Sequence, residues 1–188
     1  MTPDILPIVK IIGDMSMICL RESAVEYALA EAKKKVTEVG MENRGPEVDK
    51  YLIAAGVSKK TLTNTSVQGA KDRQWCGMFV YWCFLQASKK LGTALPFGGI
   101  DLWSGARLIQ WANRHPDTIV DSDGGEPLQA GDIFTVTPPG HIGLIVGGPD
   151  DAGRVPTVEG NQSELASTWN GVLRKTIKPI KCSMVVRV

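Results

Sequence analysis

This chain of 188 residues has only two histidines, a net charge close to zero and no long apolar run, and each of these features argues against a class of function. A net charge of +1 offers no electrostatic footprint for nucleic acid or for an anionic membrane. No apolar run approaches the ~20 residues that a transmembrane helix needs. With two histidines and no cysteine pair at metal-ligand spacing, we expect no metal and no cofactor.

The N-terminal segment is apolar over residues 5–12, but Pro7 and Lys10 interrupt it and no basic residue precedes it. Nothing like a small-residue cleavage site follows before Arg21. We therefore expect no classical signal peptide. On this expectation the protein is made in the cytoplasm and reaches any target outside the cell by another route.

The four cysteines are Cys19, Cys76, Cys83 and Cys182. Cys76 and Cys83 fall on one predicted helix, where seven residues separate their Cα atoms by ~10 Å, too far for a disulfide. Cys19, Cys83 and Cys182 are best interpreted as small buried hydrophobes, with a Cys19–Cys182 bridge as the open alternative.

Helical patterns fill the first half of the chain and strand patterns the second, and the length suits one domain over residues 1–188. This order predicts an α+β fold with N-terminal helices packed on a C-terminal antiparallel β-sheet. The predicted helices are 24–39 capped by Ser23, 47–55 after Pro46, 76–91 ended by Gly92, and 105–113 capped by Ser104, with a loop over 58–73. The predicted strands are 132–137, 141–146, 155–159, 171–177 and 180–188, joined as a meander.

Cys76 marks the point where a polar stretch gives way to an almost wholly apolar run, so its thiol lies in the first turn of a predicted helix. Unpaired N–H groups and the helix dipole favour the thiolate there. His141 opens a strand downstream, and Glu159 and Asn161 follow on a later one. Cysteine, then histidine, then an acid or amide is the chain order of papain-like cysteine hydrolases.

Strand alternation suggests how these side chains meet. Gly143 shares a face with His141 and leaves room for another element, such as the start of the cysteine helix. Glu159 and Asn161 share a face if the strand stays extended through Gly160. Either could hold the ring of His141, and Glu159 is preferred because a carboxylate also stabilises an imidazolium.

The expected chemistry is attack of the Cys76 thiolate on an amide carbonyl, with His141 protonating the leaving amine. N–H groups at the helix start, that of Cys76 among them, would hold the oxyanion. A side-chain donor could be Gln74, Gln68 or Asp72. Substrate contacts are predicted for Trp75, Gln74 and Trp103, whereas Trp111 suits the core.

Five short motifs in this order resemble the CHAP family (cysteine, histidine-dependent amidohydrolases/peptidases), an NlpC-like branch of the papain-like folds, over residues 43–164. They are Asn43-Arg44-Gly45-Pro46-Glu47-Val48 with Tyr51-Leu52, Trp75-Cys76, Gly131-Asp132-Ile133, Gly140-His141-Ile142-Gly143 and Glu159-Gly160-Asn161. The resemblance implies a papain-like fold of NlpC/CHAP type and hydrolysis of amide bonds in peptidoglycan peptides. It also implies Cys76, His141 and Glu159 as a triad with Asn161 in support. Residues 1–42 lie outside the family pattern, as an N-terminal extension.

We therefore expect a cysteine peptidase or amidase whose partner is peptidoglycan and which acts in the periplasm or cell wall of a target cell. The preferred setting is an antibacterial effector delivered by type VI secretion, with a cognate immunity protein in the producer. A phage lysis enzyme of the endolysin type is the alternative. Two other classes stay open: the same fold acting on another amide or ester (a deamidase, protease or acyltransferase), and an inactive binding module.

Overall fold

Helices come first along the chain and strands follow. A computed structural model describes residues 6–39, 43–64, 66, 73–122, 124–136, 140–163, 170–177 and 182–188. The helices are α1 (Leu6–Lys34), α2 (Pro46–Ala54), α3 (Lys59–Thr63), α4 (Cys76–Leu91) and α5 (Gly105–Arg114), with 3-10 turns at Gly99–Leu102 and Pro116–Thr118. The strands are β1 (Ile133–Val136), β2 (His141–Ile145), β3 (Val155–Gln162), β4 (Gly171–Ile177) and β5 (Met184–Val186). The α+β layout and the antiparallel sheet are confirmed.

The helix ends near the site follow local signals that the sequence contains. Pro46 occupies the first turn of α2, where its missing N–H costs nothing. Gly92 closes α4 in the left-handed region, at φ 66°. The Ser104 hydroxyl accepts from the backbone N–H of Arg107 and caps α5. These predicted boundaries are confirmed.

The first helix differs from its prediction at both ends. α1 runs from Leu6 to Lys34, so Ser23 lies inside it, buried, and does not cap it. The helix ends where Lys35 turns into the left-handed region, at φ 54°, and Val39 is exposed beyond it. Capping residues also occur in helix interiors, and here the apolar stretch before Ser23 continues the helix instead of preceding it.

Residues 58–73 were expected to form a loop, and part of that segment is helical. Ser58 caps the short helix α3 by accepting from the backbone N–H of Thr61 at 3.2 Å. The sequence did not predict this helix, because its single exposed turn of mainly Thr and Lys residues shows no periodic pattern of apolar residues.

The five strands form one sheet in the order β4-β3-β2-β1-β5. β1 to β4 make the predicted meander, but β5 crosses back and pairs with β1, with Val185 opposite Phe134. The prediction of a continuous meander was wrong at this strand. The outer edge of β4 is already in use, since Thr37 bridges Gly171 and the N–H of Val172 donates to Val36 O at 2.9 Å.

The main core lies between the sheet and the helices, with α4 at its centre. α1 contributes a stripe of fully buried residues four apart, Leu20, Ala24 and Ala28. β2 contributes Ile142 and Leu144 to the same core. A smaller apolar cluster on β1, β2, β3 and β5 includes Phe134 and Ile145. α4 is therefore held on several sides, and its N-terminus has a defined position against β2.

No helix among the described residues is long and apolar enough to cross a bilayer. All four cysteines are free thiols, so the alternative of a Cys19–Cys182 disulfide is not realised in the structure.

Candidate active site

Cys76 begins α4, directly after the N-cap residue Trp75, and the residue is 5% exposed. The helix start lies against β2, and backbone N–H groups of Ile142 and Gly77 hydrogen-bond the sulfur, as does the ring of His141. Burial raises the pKa of the Cys76 thiol, but the hydrogen bond and charge of His141 outweigh burial. The pKa of Cys76 therefore lies below its ordinary value.

His141 is the first residue of β2, and its ring bridges the sulfur and a carboxylate. Its Nε2 lies 2.9 Å from Glu159 Oε2, with both side chains largely buried. Burial lowers the pKa of His141, but hydrogen bonds to Cys76 and Glu159 raise it to about 9. The geometry favours a thiolate beside an imidazolium at neutral pH, which is the form of a nucleophilic cysteine.

Glu159 reaches His141 from β3. Gly143 leaves the room for it, because a Cβ there would lie 2.9 Å from Glu159 Cγ and would overlap the ring of Phe134. The space at Gly143 is thus occupied by the side chains of Glu159 and Phe134. The start of the cysteine helix was expected there from the sequence. Thr157 Oγ1 donates to Glu159 Oε1 at 2.6 Å.

Burial raises the pKa of Glu159, but hydrogen bonds from His141 and Thr157 lower it below its usual range. The carboxylate therefore stays charged. An ionised carboxylate only accepts hydrogen bonds, so Nε2 of His141 carries a hydrogen.

Gln162 is a site residue that the sequence reasoning missed. Its side-chain Nε2 lies 3.2 Å from Nδ1 of His141, and its Oε1 accepts from Lys175 Nζ on β4. Because Lys175 holds the amide oxygen, the amide nitrogen faces the histidine ring. An amide N–H can donate to Nδ1 only while the ring is neutral.

A β-bulge explains why Gln162, and not Asn161, faces His141. Glu159 pairs with Leu173 and Gln162 with Gly171, so β3 has one residue more than β4 over this stretch. Asn161 takes φ 57° within the bulge. The expected extended strand through Gly160 is therefore wrong, and the extra residue changes which side chains share a face.

Asn161 was expected to support or replace Glu159 beside His141, and the structure corrects this. Its Oδ1 accepts from Asn170 Nδ2 at 3.0 Å, and among the described residues no hydrogen bond joins it to His141. Asn170 also hydrogen-bonds Glu38. Through Asn170, Asn161 thus connects the bulge to Glu38 in the segment after α1.

Trp75 was expected to contact substrate, and the structure places it in the core instead. Its side chain is 0% exposed and stacks on Tyr51, with ring centroids 5.6 Å apart. Its Nε1 donates to Glu38 Oε1 at 2.9 Å. A tryptophan next to a nucleophile can either bind substrate or fix the start of the helix by packing. Here Trp75 packs in the core and fixes the start of α4.

Gln74 and Trp103, the other predicted substrate contacts, line an open groove of about 360 Å³ beside the start of α4. Trp103 follows the 3-10 turn that packs on Gly77, and its Nε1 donates to Ala55 O at 3.0 Å. Of the three candidate side chains for the oxyanion, Gln74 is exposed in this groove. Gln68 and Asp72 lie outside the described residues.

The remaining thiols and the second histidine lie in different environments. Burial raises the pKa of Cys83 well above its ordinary value, and burial raises the pKa of Cys182 to about 11. His115 caps the end of α5, with Nδ1 2.8 Å from Trp111 O. In the described part of the chain, no three His, Cys, Asp or Glu side chains cluster as metal ligands.

In a comparison with protein families, the CHAP domain model matches residues 68–161, half of the chain. No curated protein and no solved structure gives a significant match. The matched segment contains Cys76, His141 and Glu159 and ends at Asn161, so Gln162 and Lys175 lie beyond it.

Proposed function

The chain belongs to the CHAP family of amidohydrolases and peptidases, and from this membership we propose that it is a cysteine hydrolase of amide bonds in peptidoglycan peptides. One observation supports the cysteine mechanism above the others. The side chains of Cys76, His141 and Glu159 form one continuous hydrogen-bonded chain at the start of α4. Such a chain activates the sulfur, orients the base and balances the charge on the imidazolium.

In the proposed reaction, the Cys76 thiolate attacks the carbonyl carbon of the scissile amide and forms a C–S bond. N–H groups at the start of α4 stabilise the oxyanion. His141 then gives its proton to the amide nitrogen, the C–N bond breaks and the amine leaves. Water, deprotonated by His141, attacks the thioester, releases the carboxylic acid and restores the thiol.

Digestion of purified peptidoglycan, followed by mass spectrometry of the soluble fragments, tests this proposal. We expect wild type and Cys83→Ala to release peptides with new free amines, and Cys76→Ala to release none. Cys83 is the matched control because it lies on the same helix, buried. Undiminished digestion by Cys76→Ala would exclude the mechanism, and no digestion by wild type would exclude the substrate. The fragment masses identify the bond that is cut.

We also propose a setting, namely an antibacterial effector delivered by type VI secretion, with a cognate immunity protein over the Cys76 cleft. In its support, Cys76 is only 5% exposed, so a protein seated over its narrow opening would block access to the thiol. Killing of neighbouring cells should require both Cys76 and the producer's secretion apparatus. Killing that does not depend on the secretion apparatus contradicts this setting. If the protein instead leaves the producer only when the producer itself lyses, a phage lysis enzyme is indicated.

A further inference from the structure

The groove beside Cys76 has walls from two helix starts. Gln74 and Met78, two residues to either side of Cys76, form one wall, and Trp103 and Ser104 at the start of α5 form the other. Its volume of about 360 Å³ accommodates one or two residues of a peptide. The groove thus lies along the start of the helix that contains the nucleophile, and Gln74 and Met78 flank Cys76 in the chain.

Arg107 is the charged side chain among the described residues that line the groove. Its guanidinium carbon lies 6.0 Å from the ring centroid of Trp103, and the indole is itself fixed by its hydrogen bond to Ala55 O. The ion pairs of the described residues do not include Arg107. The guanidinium is thus supported on one side by an aromatic face and has its donors open to a ligand.

The start of α5 adds to the positive potential of this wall. Ser104, the N-cap residue, lines the groove, and the first turn of the helix contains no acidic residue. The partial positive charge of the helix terminus is therefore not neutralised within its own first turn. A carboxylate placed here would meet both the helix terminus and the guanidinium.

We propose that this groove is a carboxylate-binding subsite, in which Arg107 determines specificity for a substrate residue next to the scissile amide that carries a free carboxylate. This inference rests on the proposed function. Stem peptides of peptidoglycan carry such groups, for example the α-carboxylate left free where D-glutamate is linked through its γ-carboxyl. Amidation of that carboxylate removes the charge while keeping the shape, so it provides a matched pair of ligands.

The test measures binding of two synthetic stem tetrapeptides to the full chain carrying Cys76→Ala, by calorimetry. One peptide has the free D-glutamate α-carboxylate and the other its amide. We expect the acid to bind ~10-fold more tightly or better, as for a charged hydrogen-bond partner. Adding Arg107→Gln should remove this preference. Arg114→Gln, the same change on the same helix at a residue that pairs with Asp101, should preserve it.

Equal affinity for the two peptides, no measurable binding of either, or a preference that survives Arg107→Gln would each overturn the subsite. The turnover of both peptides by the chain with Cys76 intact separates this result from the proposed function. Cleavage without acid preference means that the function stands and the subsite fails. Preferential binding that depends on Arg107, without cleavage of either peptide or of peptidoglycan, means that the subsite stands and the proposed function fails.

Discussion

At the scale of single residues, the ring of His141 is held between an acid and an amide. The Nε2–H of His141 donates to the carboxylate of Glu159, which leaves Nδ1 to exchange a proton with the sulfur. Gln162 contacts the same Nδ1, held there by Lys175. The acid favours the charged ring and the amide favours the neutral ring, so the two side chains act on the proton in opposite directions.

Replacing Glu159 by glutamine should move the alkaline limb of the pH–activity profile to lower pH. Above its pKa of about 9 the ring of His141 is neutral and cannot protonate the leaving amine, so kcat/KM falls there. Because Glu159 raises this pKa, its neutral replacement should shift the limb down by about one pH unit or more. The measurement is kcat/KM against pH. Asp150→Asn, at an exposed loop carboxylate, is the control, and an unmoved limb in Glu159→Gln contradicts the assignment.

Replacing Gln162 by leucine should move the alkaline limb of the pH–activity profile to higher pH. Loss of the amide donor removes a hydrogen bond that stabilises the neutral ring, so the pKa of His141 rises and the ring stays charged to higher pH. We expect the limb in kcat/KM to move up by ~0.5 to 1 pH unit, the effect of one neutral hydrogen bond. A residue with only a packing role would change kcat/KM equally at all pH values, and that result would remove Gln162 from the site.

At the scale of elements, the site depends on how closely the 3-10 turn Gly99–Leu102 approaches the start of α4. A methyl group at Gly77 would overlap the carbonyl oxygen of Leu102 and lie 2.8 Å from Ile142 Cδ1. This contact holds Trp103, and with it the groove, beside the nucleophile. Gly160 serves β3 in the same way, since a Cβ there would lie 2.8 Å from atoms of both Phe79 and Trp75.

Gly77→Ala should therefore destabilise the protein and displace the groove wall. The overlap with backbone cannot be relieved by a side-chain rotation, so we expect a loss of about 1–3 kcal/mol in the free energy of unfolding. KM should rise as Trp103 moves. Urea unfolding and steady-state kinetics measure the two effects. Gly148→Ala, where no atom lies within 4 Å of the added methyl, should change neither, and a neutral Gly77→Ala would contradict the packing.

At the scale of the whole molecule, one buried carboxylate connects the two ends of the chain. Asp132, fully buried before β1, accepts two hydrogen bonds of 2.8 Å from Arg187 near the C-terminus. Arg21 of α1 lies 3.5 Å from the same carboxylate. The crossing connection that brings β5 beside β1 also places Arg187 beside Asp132. The same segment therefore completes the sheet next to β1 and neutralises a buried charge.

Arg187→Ala should lower the free energy of unfolding by about 3 kcal/mol, because it removes two hydrogen bonds from the buried Asp132 carboxylate and leaves Arg21, at 3.5 Å, as its remaining cation among the described residues. Arg154→Ala removes an exposed pair with Asp150 and should cost less than about 0.5 kcal/mol. Urea denaturation of both variants measures the difference. Equal small losses would show that Arg187 contributes no more than a surface pair.

Local signals account for what could be predicted. The change from polar to apolar residues at Cys76 identified the nucleophile candidate and the start of its helix, and Gly92 and Ser104 identified helix ends. Each of these depends on a few neighbours in the chain. Ser23 shows the limit of such signals, because a good capping residue caps nothing when the helix continues through it.

The amino-acid sequence by itself determined the order of helices and strands, the position of Cys76 at a helix start, and the pairing of His141 with Glu159 as the preferred arrangement. Tertiary structure alone decided the rest, because those features depend on contacts between distant segments. One extra residue in β3 gave Gln162 the place expected for Asn161. Trp75 is buried against Tyr51 in the core and does not face the substrate, and β5 pairs with β1 while Thr37 bridges the outer edge of β4.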